Sequence, residues 1–323
     1  MSERLDQIKS PIAEELKEFE KRFRLSMKSN VPLLDTIMTY IVKRKGKQMR
    51  PMFVLLAARL FGEITENSYR GAALVELLHT ATLVHDDVVD DASMRRGFFS
   101  INALWKNKVA VLVGDYLLSK GLLLALRNKD FESLTILAEA VEQMSEGELL
   151  QMEKARKLDI NEEVYYDIIS KKTASLIASC CSIGAASAGA NDEQIEAMNS
   201  FGLYTGIAFQ IKDDLFDYGD NPTGKPKGID IKEKKMTLPL IHALNQADKS
   251  EKKRIIRMIK KGGKSKSQIQ EVIDFVTANG GISYAKEHLA LYHQRAHDAL
   301  DSMKLENTDS IRGLVDYVIS RNK

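Results

Sequence analysis

The sequence has 323 residues, 44% of them hydrophobic and 28% charged, with only six prolines. That balance excludes a disordered or fibrous chain and supplies enough apolar residues for a large core. Basic and acidic residues number 47 and 45, a net charge of +2, so no global field calls for nucleic acid and any anion site must be local.

The first residues, Met1-Ser2-Glu3-Arg4-Leu5-Asp6, lack an apolar leader, and no uncharged run reaches about 18 residues. A cytoplasmic protein without a transmembrane segment is the expectation. The only cysteines, Cys180 and Cys181, are adjacent in a run of small apolar residues. They offer neither a disulfide framework nor zinc spacing, and read as buried, inert thiols.

Apolar residues recur at three- and four-residue intervals almost throughout, and period-two alternation is scarce, which predicts an all-α chain that needs no strand. In chain order the predicted helices span 3–27, 31–44, 51–61, 67–92, 100–127, 131–157, 161–189, 192–219, 236–246, 251–261, 267–278, 281–303 and 308–321. The segment Asp220-Asn221-Pro222-Thr223-Gly224-Lys225-Pro226-Lys227-Gly228 ends a helix and gathers lysines, and it reads as a cationic flap. The run from Lys260 to Lys264 reads as a solvated turn. No linker divides the chain, so residues 1–323 are expected to form a single all-helical domain.

Two acidic stripes carry the chemistry. The first closes the helix predicted over 67–92 with His79, His85, Asp86, Asp87, Asp90 and Asp91. At about 100° per residue, Asp86 and Asp90 share a face and His79 lies about 20° from it. The second is Gln210, Asp213, Asp214 and Asp217, spaced i, i+3, i+4 and i+7 on one stripe. Like charges at i and i+4 repel, and carboxylates beside apolar surface are costly unless a cation compensates. Oxygen-rich sets of this kind suit magnesium, which binds through one or two carboxylates plus phosphate. An exposed acidic helix end is the bland reading of either stripe alone. Two such stripes imply a polyanionic substrate, and basic residues should hold its far phosphates. Lys47, Arg50, Arg95, Arg96, Lys172, Lys225 and Lys235 are the candidates.

These residues resemble the trans-isoprenyl diphosphate synthases, more closely the long-chain polyprenyl branch that includes octaprenyl diphosphate synthase. The marks are Gly46-Lys47-x-x-Arg50-Pro51, Leu77 through Gly97, Lys172-Thr173-Ala174, Phe209-Gln210 through Asp217, Gly224-Lys225 through Asp230, and Lys235-x-Thr237-Leu238-Pro239-Leu240. The resemblance covers nearly the whole chain. It implies an all-α isoprenoid synthase fold, a homodimer, and a cavity between two Asp-bearing helices. It also implies that magnesium, two or three ions, is held by Asp86, Asp90 and Asp213, with Asp87, Asp214 and Asp217 less directly engaged. Lys47, Arg50, His79 and Arg96 would hold isopentenyl diphosphate. Arg95, Lys172, Thr173, Gln210, Lys225 and Lys235 would hold the allylic diphosphate. A peripheral membrane contact for product release goes with a lipid product. Lys234 departs from the family, which often has Gly there, and this puts the local backbone in question.

In the mechanism the resemblance implies, the allylic diphosphate departs, the double bond of isopentenyl diphosphate attacks the carbocation, and the released diphosphate takes the proton. No side-chain general base is evident. The same helix should wall a hydrophobic tunnel with Val75, Leu78, Ala81 and Thr82. No aromatic plug stands at 81 or 82, where short-chain members commonly carry one, so the expected product is long, octaprenyl or similar, of the kind that serves as a quinone side chain. Leu137, Val141 and Met144 are candidates for the tunnel floor. The rival readings are a short-chain synthase, a terpene cyclase, a His-Asp phosphohydrolase at His85-Asp86, and a non-catalytic partner subunit of a two-component synthase.

Overall fold

A computed structural model of the chain describes residues 2–44, 46–95, 97–158, 160–219, 228–260 and 265–320. Its helices follow the apolar periodicity closely. They are α1 (Ser2–Lys9), α2 (Ala13–Ser26), α3 (Pro32–Lys43), α4 (Met49–Phe61), α5 (Glu66–Val89), α6 (Ile101–Asn128), α7 (Phe131–Lys157) and α8 (Glu162–Ile169). After them come α9 (Ser175–Ser187), α10 (Asp192–Phe216), α11 (Ile229–Lys232), α12 (Leu238–Gln246), α13 (Lys249–Lys260), α14 (Lys266–Ala278), α15 (Gly281–Ser302) and α16 (Asp309–Ser320).

Caps set many of the starts. The Thr65 and Ser68 side chains form a reciprocal capping box on α5, and the Asn161 side chain accepts from Val164 N at 2.9 Å to open α8. Pro32 occupies the first turn of α3, where its missing N–H costs nothing.

Four local features depart from the expected pattern. The helix predicted over 3–27 is interrupted by a 3-10 turn at Ser10–Ile12, because Pro11 cannot donate the hydrogen bond that a continuous helix requires there. The expectation of no strand fails at β1 (Met94–Arg95) and β2 (Phe98–Phe99). They pair antiparallel in the register Met94 to Phe99 and Arg95 to Phe98, with Gly97 at φ 80° between them. Two-residue strands are too short to leave a periodic signal, and the left-handed turn residue is what shapes the hairpin. The helix predicted over 161–189 contains a π-helical turn at Ser170–Ala174, and α6 is kinked at Lys106 (φ 72°).

Two compact units account for the chain. The first comprises Met1–Ala138, Ser179–Met198 and Glu306–Ile311. Its α4 is buried from Pro51 to Ala58. Its longest helix pair is α5 with α6, where Gly121 permits the approach: a Cβ there would come within 2.5 Å of Leu78 Cδ1. Cys180 and Cys181 are fully buried in this unit, as expected, and burial pushes the Cys180 thiol up to about 12. By length and composition α6 could cross a membrane; its remaining surface exposes Leu104, Val111, Leu112, Leu122, Leu123 and Leu126.

The second unit comprises Glu139–Ala178, Asn199–Leu305 and Arg312–Lys323. Leu238, Leu240, Ile241 and Leu244 of α12 form its centre with Ile255 and Ile259 of α13 and Val272, Ile273 and Val276 of α14. Burying such a side chain stabilises the fold by about 1.5–3 kcal/mol, so this cluster gives α8 and α10 a firm support.

Candidate active site

In the first unit the acidic stripe ends α5. Asp86 and Asp90, one turn apart, are exposed, whereas Asp87, rotated by one residue, is buried. Asp87 is occupied: Arg95 Nε donates to its Oδ1 at 2.6 Å, and its backbone oxygen accepts from Asn102 Nδ2 at 3.1 Å and Ala92 N at 2.9 Å. Burial raises the Asp87 carboxyl pKa while the Arg95 guanidinium partly opposes it. Asp87 and Arg95 therefore brace the hairpin against the end of α5.

A cavity of about 110 Å3 lies alongside, lined among others by His79, Thr80, Asp87 and Arg95. Tyr40 of α3 and Arg44 just past its end line it too, and neither was singled out from sequence. Arg44 lies over the Tyr40 and Phe98 rings at 3.4 and 4.5 Å from their centroids, and the Tyr40 hydroxyl donates to Phe99 O at 2.5 Å. The signal was present as a further cation in Lys43-Arg44-Lys45-Gly46-Lys47. Lys47 is exposed and Arg50 half-buried, on either side of Gln48, whose left-handed φ of 55° opens α4. Arg96 lies outside the described residues. His85 has its own partners on α6, with Nε2 3.4 Å from Asp115 Oδ1 and 3.3 Å from Val111 O. Further up α5, Val75, Leu78 and Ala81 are buried and Thr82 is half-buried, its hydroxyl donating to His79 O at 2.9 Å.

In the second unit the stripe ends α10. Asp214 is buried and accepts from three donors: Tyr165 OH at 2.8 Å, Gln210 Nε2 at 3.0 Å and Leu238 N at 3.4 Å. Burial pushes its carboxyl up to about 7 although the Gln210 and Tyr165 donors oppose the shift. Asp217 is buried as well; its Oδ1 accepts from Ile229 N at 2.8 Å, and its Oδ2 has no hydrogen-bond partner among the described residues. Burial and then the charge of Asp230 push Asp217 up to about 6. Asp213 is half-buried.

The π turn explains how Lys172 and Thr173 join this group. One extra residue in the turn re-aims the side chains that follow, a device common at functional sites. Thr173 Oγ1 donates to Gln210 Oε1 at 3.0 Å, while Lys172 is ion-paired with Glu148 and lies 3.4 Å from Gln151 Oε1. Lys235 pairs with Glu233 at 2.6 Å and Asp230 at 3.4 Å. Burial works against its charge, but these carboxylates prevail and push it up to about 12. A cavity of about 180 Å3 is lined by Lys172, Thr173, Gln210, Asp214, Asp230 and Lys235 among others. Lys225 lies outside the described residues. Tyr165, Glu148 and Gln151 were missed from sequence, because their roles arise from a helix that folds back rather than from spacing.

Both stripes fit a hard divalent cation: one pairs exposed carboxylates a turn apart, and the other carries a buried carboxylate oxygen, Asp217 Oδ2, with no donor among the described residues.

A profile of the Polyprenyl synthetase family matches residues 31–276. Octaprenyl diphosphate synthase of Haemophilus influenzae is 34% identical over 98% of this chain and 97% of its own. Geranylgeranyl diphosphate synthase of Sulfolobus acidocaldarius is 33% identical over 91% and 92%. Among solved structures, a decaprenyl diphosphate synthase from Rhodobacter capsulatus has a TM-score of 0.91 at 35% identity, covering 99% of each chain. A polyprenyl synthase from Caulobacter crescentus, complexed with calcium and isoprenyl diphosphate, has 0.88 at 32%, covering 99% and 98%. The fold is the all-α isoprenoid synthase fold, and the protein is a prenyltransferase. The chain belongs to the polyprenyl synthetase family.

Proposed function

We propose that this chain is a long-chain trans-polyprenyl diphosphate synthase, adding isopentenyl diphosphate repeatedly to an allylic diphosphate, farnesyl diphosphate being the natural primer. One observation carries the chain length: Ala81 is buried and Thr82 folds its hydroxyl back onto His79 O, so no ring blocks the apolar face of α5 above Asp86. Repeated addition needs such an unplugged, water-excluding wall, since water would quench the carbocation.

The residue roles follow the chemistry of each half. Asp86, Asp90, Asp213 and, through its orphan oxygen, Asp217 would hold magnesium, two or three ions; when bound, magnesium neutralises the departing diphosphate. The calcium bound by the Caulobacter relative supports a divalent ion. Lys47, Arg50 and His79, with Arg96, would hold isopentenyl diphosphate. Lys172, Thr173, Gln210 and Lys235, with Lys225, would hold the allylic diphosphate. Arg95 is assigned instead to bracing Asp87, on the 2.6 Å contact between them. Asp214, saturated by three donors, orients Gln210. The family match runs through both compact units, which supports treating 1–323 as one catalytic domain.

Incubating the pure chain with magnesium, farnesyl diphosphate and isopentenyl diphosphate and separating the products by length tests this. Products of more than twenty carbons are expected; a ladder ending at twenty would favour the short-chain reading, which the Sulfolobus relative keeps alive. Activity of the chain alone would also dispose of a non-catalytic partner role. The exposed leucines of α6 support a homodimer that covers them, and light scattering of the pure chain as a monomer would overturn that.

A further inference from the structure

A second cluster of ligating side chains lies in the C-terminal helix pair, on residues that the prenyl-transfer reading does not use. His293 and His297 are one turn apart on α15, and Asp316 of α16 faces both. His293 Nε2 is 2.8 Å from Asp316 Oδ1, His297 Nε2 is 3.5 Å from the same oxygen, and the two Nε2 atoms are 3.1 Å apart.

We propose that His293, His297 and Asp316 form a zinc site that clamps α16 to α15. Two imidazole nitrogens and one carboxylate oxygen are borderline donors of the kind zinc takes, with water as fourth ligand. The dimensions fit. Ligand bonds of about 2.0–2.1 Å in a tetrahedron put neighbouring ligand atoms about 3.3 Å apart. The three separations here bracket that value, so a zinc ion needs only small side-chain adjustments. His293 and Asp316 are 34% and 38% exposed and His297 17%, so an entry path and room for the water lie on the His293 and Asp316 side.

Without metal the same atoms have another arrangement. His293 Nε2 is hydrogen-bonded to Asp316 Oδ1 and His297 Nε2 to His293 Nε2, while Arg312 Nη1 donates to His297 Nδ1 at 2.9 Å. Zinc on His297 Nε2 requires the proton on Nδ1, which would then meet the Arg312 N–H groups. Arg312 must therefore yield Nδ1, and its ion pair with Asp301 gives the guanidinium somewhere to stay. Zinc and Arg312 thus favour opposite tautomers of one neutral imidazole.

That competition makes the test specific. The full metal-stripped chain, held in saturating magnesium, is titrated with zinc against a chromogenic chelator. H293A/H297A serves as the blank for zinc taken up anywhere else. The wild type should bind one zinc per chain beyond the blank. D316N should bind it roughly tenfold or more weakly, and R312A at least about threefold more tightly. Zinc should also raise the unfolding temperature of the wild type and not of the blank, with both variants showing wild-type prenyl transfer as proof of folding. A wild type that binds no more zinc than the blank overturns the site, as does unchanged affinity in D316N. Equal or weaker binding by R312A overturns the exchange.

Discussion

The phenol of Tyr165 on α8 donates to the carboxylate of Asp214 on α10 at 2.8 Å, and both groups are buried. Asp214 passes the constraint on: it accepts from Gln210, which in turn accepts from Thr173 on the π turn. One hydroxyl thereby fixes Asp214 and Gln210 of the second acidic stripe and Thr173 of the π turn.

Tyr165→Phe should therefore act in two ways. It leaves Asp214 Oδ2 with only the long contact from Leu238 N, and losing one partner of a buried polar pair costs about 1–3 kcal/mol. Thermal unfolding should shift down by a few °C in consequence, roughly as that loss implies. The KM for the allylic diphosphate should rise more than that for isopentenyl diphosphate. An unchanged unfolding temperature with unchanged KM values would remove Tyr165 from the site.

Asp86 and Asp87, neighbours in sequence, should separate cleanly in mutation. Asp86 is exposed and one turn from Asp90, so Asp86→Asn relieves a like-charge pair worth a few tenths of a kcal/mol while abolishing turnover at saturating magnesium. Asp87→Asn instead leaves the Arg95 guanidinium half-buried beside a neutral amide and should lower stability by about 1–3 kcal/mol. Activity and melting measured on both variants check this. Wild-type turnover in Asp86→Asn would refute its metal role.

The contrast between those two residues marks how far sequence reading reaches. The stripes were legible because helical periodicity places Asp86 beside Asp90 and Gln210 beside Asp214 whatever else the chain does. That Asp87 turns inward to a hairpin arginine was not legible, since β1 and β2 pair over only two residues each, with Gly97 at positive φ before β2. Nor was Tyr165, whose hydroxyl meets α10 only after the chain doubles back. Pro11 could have been read as a break, and the helix predicted over 3–27 ran through it because the apolar spacing continues on both sides.

Gly147 and Gly206 flank the π turn. A Cβ on Gly147 would come within 2.9 Å of Lys172 N, and one on Gly206 would collide with the Ala174 backbone. Side chains there can give way only by moving the turn itself. Gly206→Ala should cost about 1–3 kcal/mol as overpacking and should weaken allylic diphosphate binding through displaced Lys172 and Thr173, with Gly147→Ala milder. Melting curves and the two substrate KM values read this out; a Gly206→Ala chain as stable and as active as wild type would mean the turn is not held there.

Lys234 adopts φ 62°, just past the short helix α11, where Lys234 N donates to Ile231 O at 3.2 Å and Lys235 N to Asp230 O at 2.8 Å. This is the left-handed helix end that glycine favours, so a lysine there carries a backbone cost. Lys234→Gly should stabilise the chain by roughly 1 kcal/mol, less whatever entropy the unfolded glycine gains. Because the same turn presents Lys235, KM for the allylic diphosphate should fall or hold. A lowered unfolding temperature would show that the Lys234 side chain contributes more than its backbone costs.

Cys180 and Cys181 give a prediction whose sign follows from burial. The thiol of Cys180 is pushed up to about 12 from an ordinary value of 9.0, and that of Cys181 well above the ordinary range, in both cases by removal from water. Below pH 9 folded and unfolded chains both carry neutral thiols and the shift has no effect. Above it the unfolded chain ionises first, so folding stability falls as pH rises from 9 toward 12, by at most about 1.4 kcal/mol per pH unit for each thiol. The unfolding temperature of the wild type should therefore drop faster across that range than that of C180A/C181A. At pH 8 a thiol-alkylating reagent should label neither cysteine in the native chain and both in denaturant, since the thiolate is the nucleophile and neither thiol reaches solvent. Rapid native labelling of either cysteine would show that the α9 segment opens, and the alkaline loss would then have to be assigned to other groups.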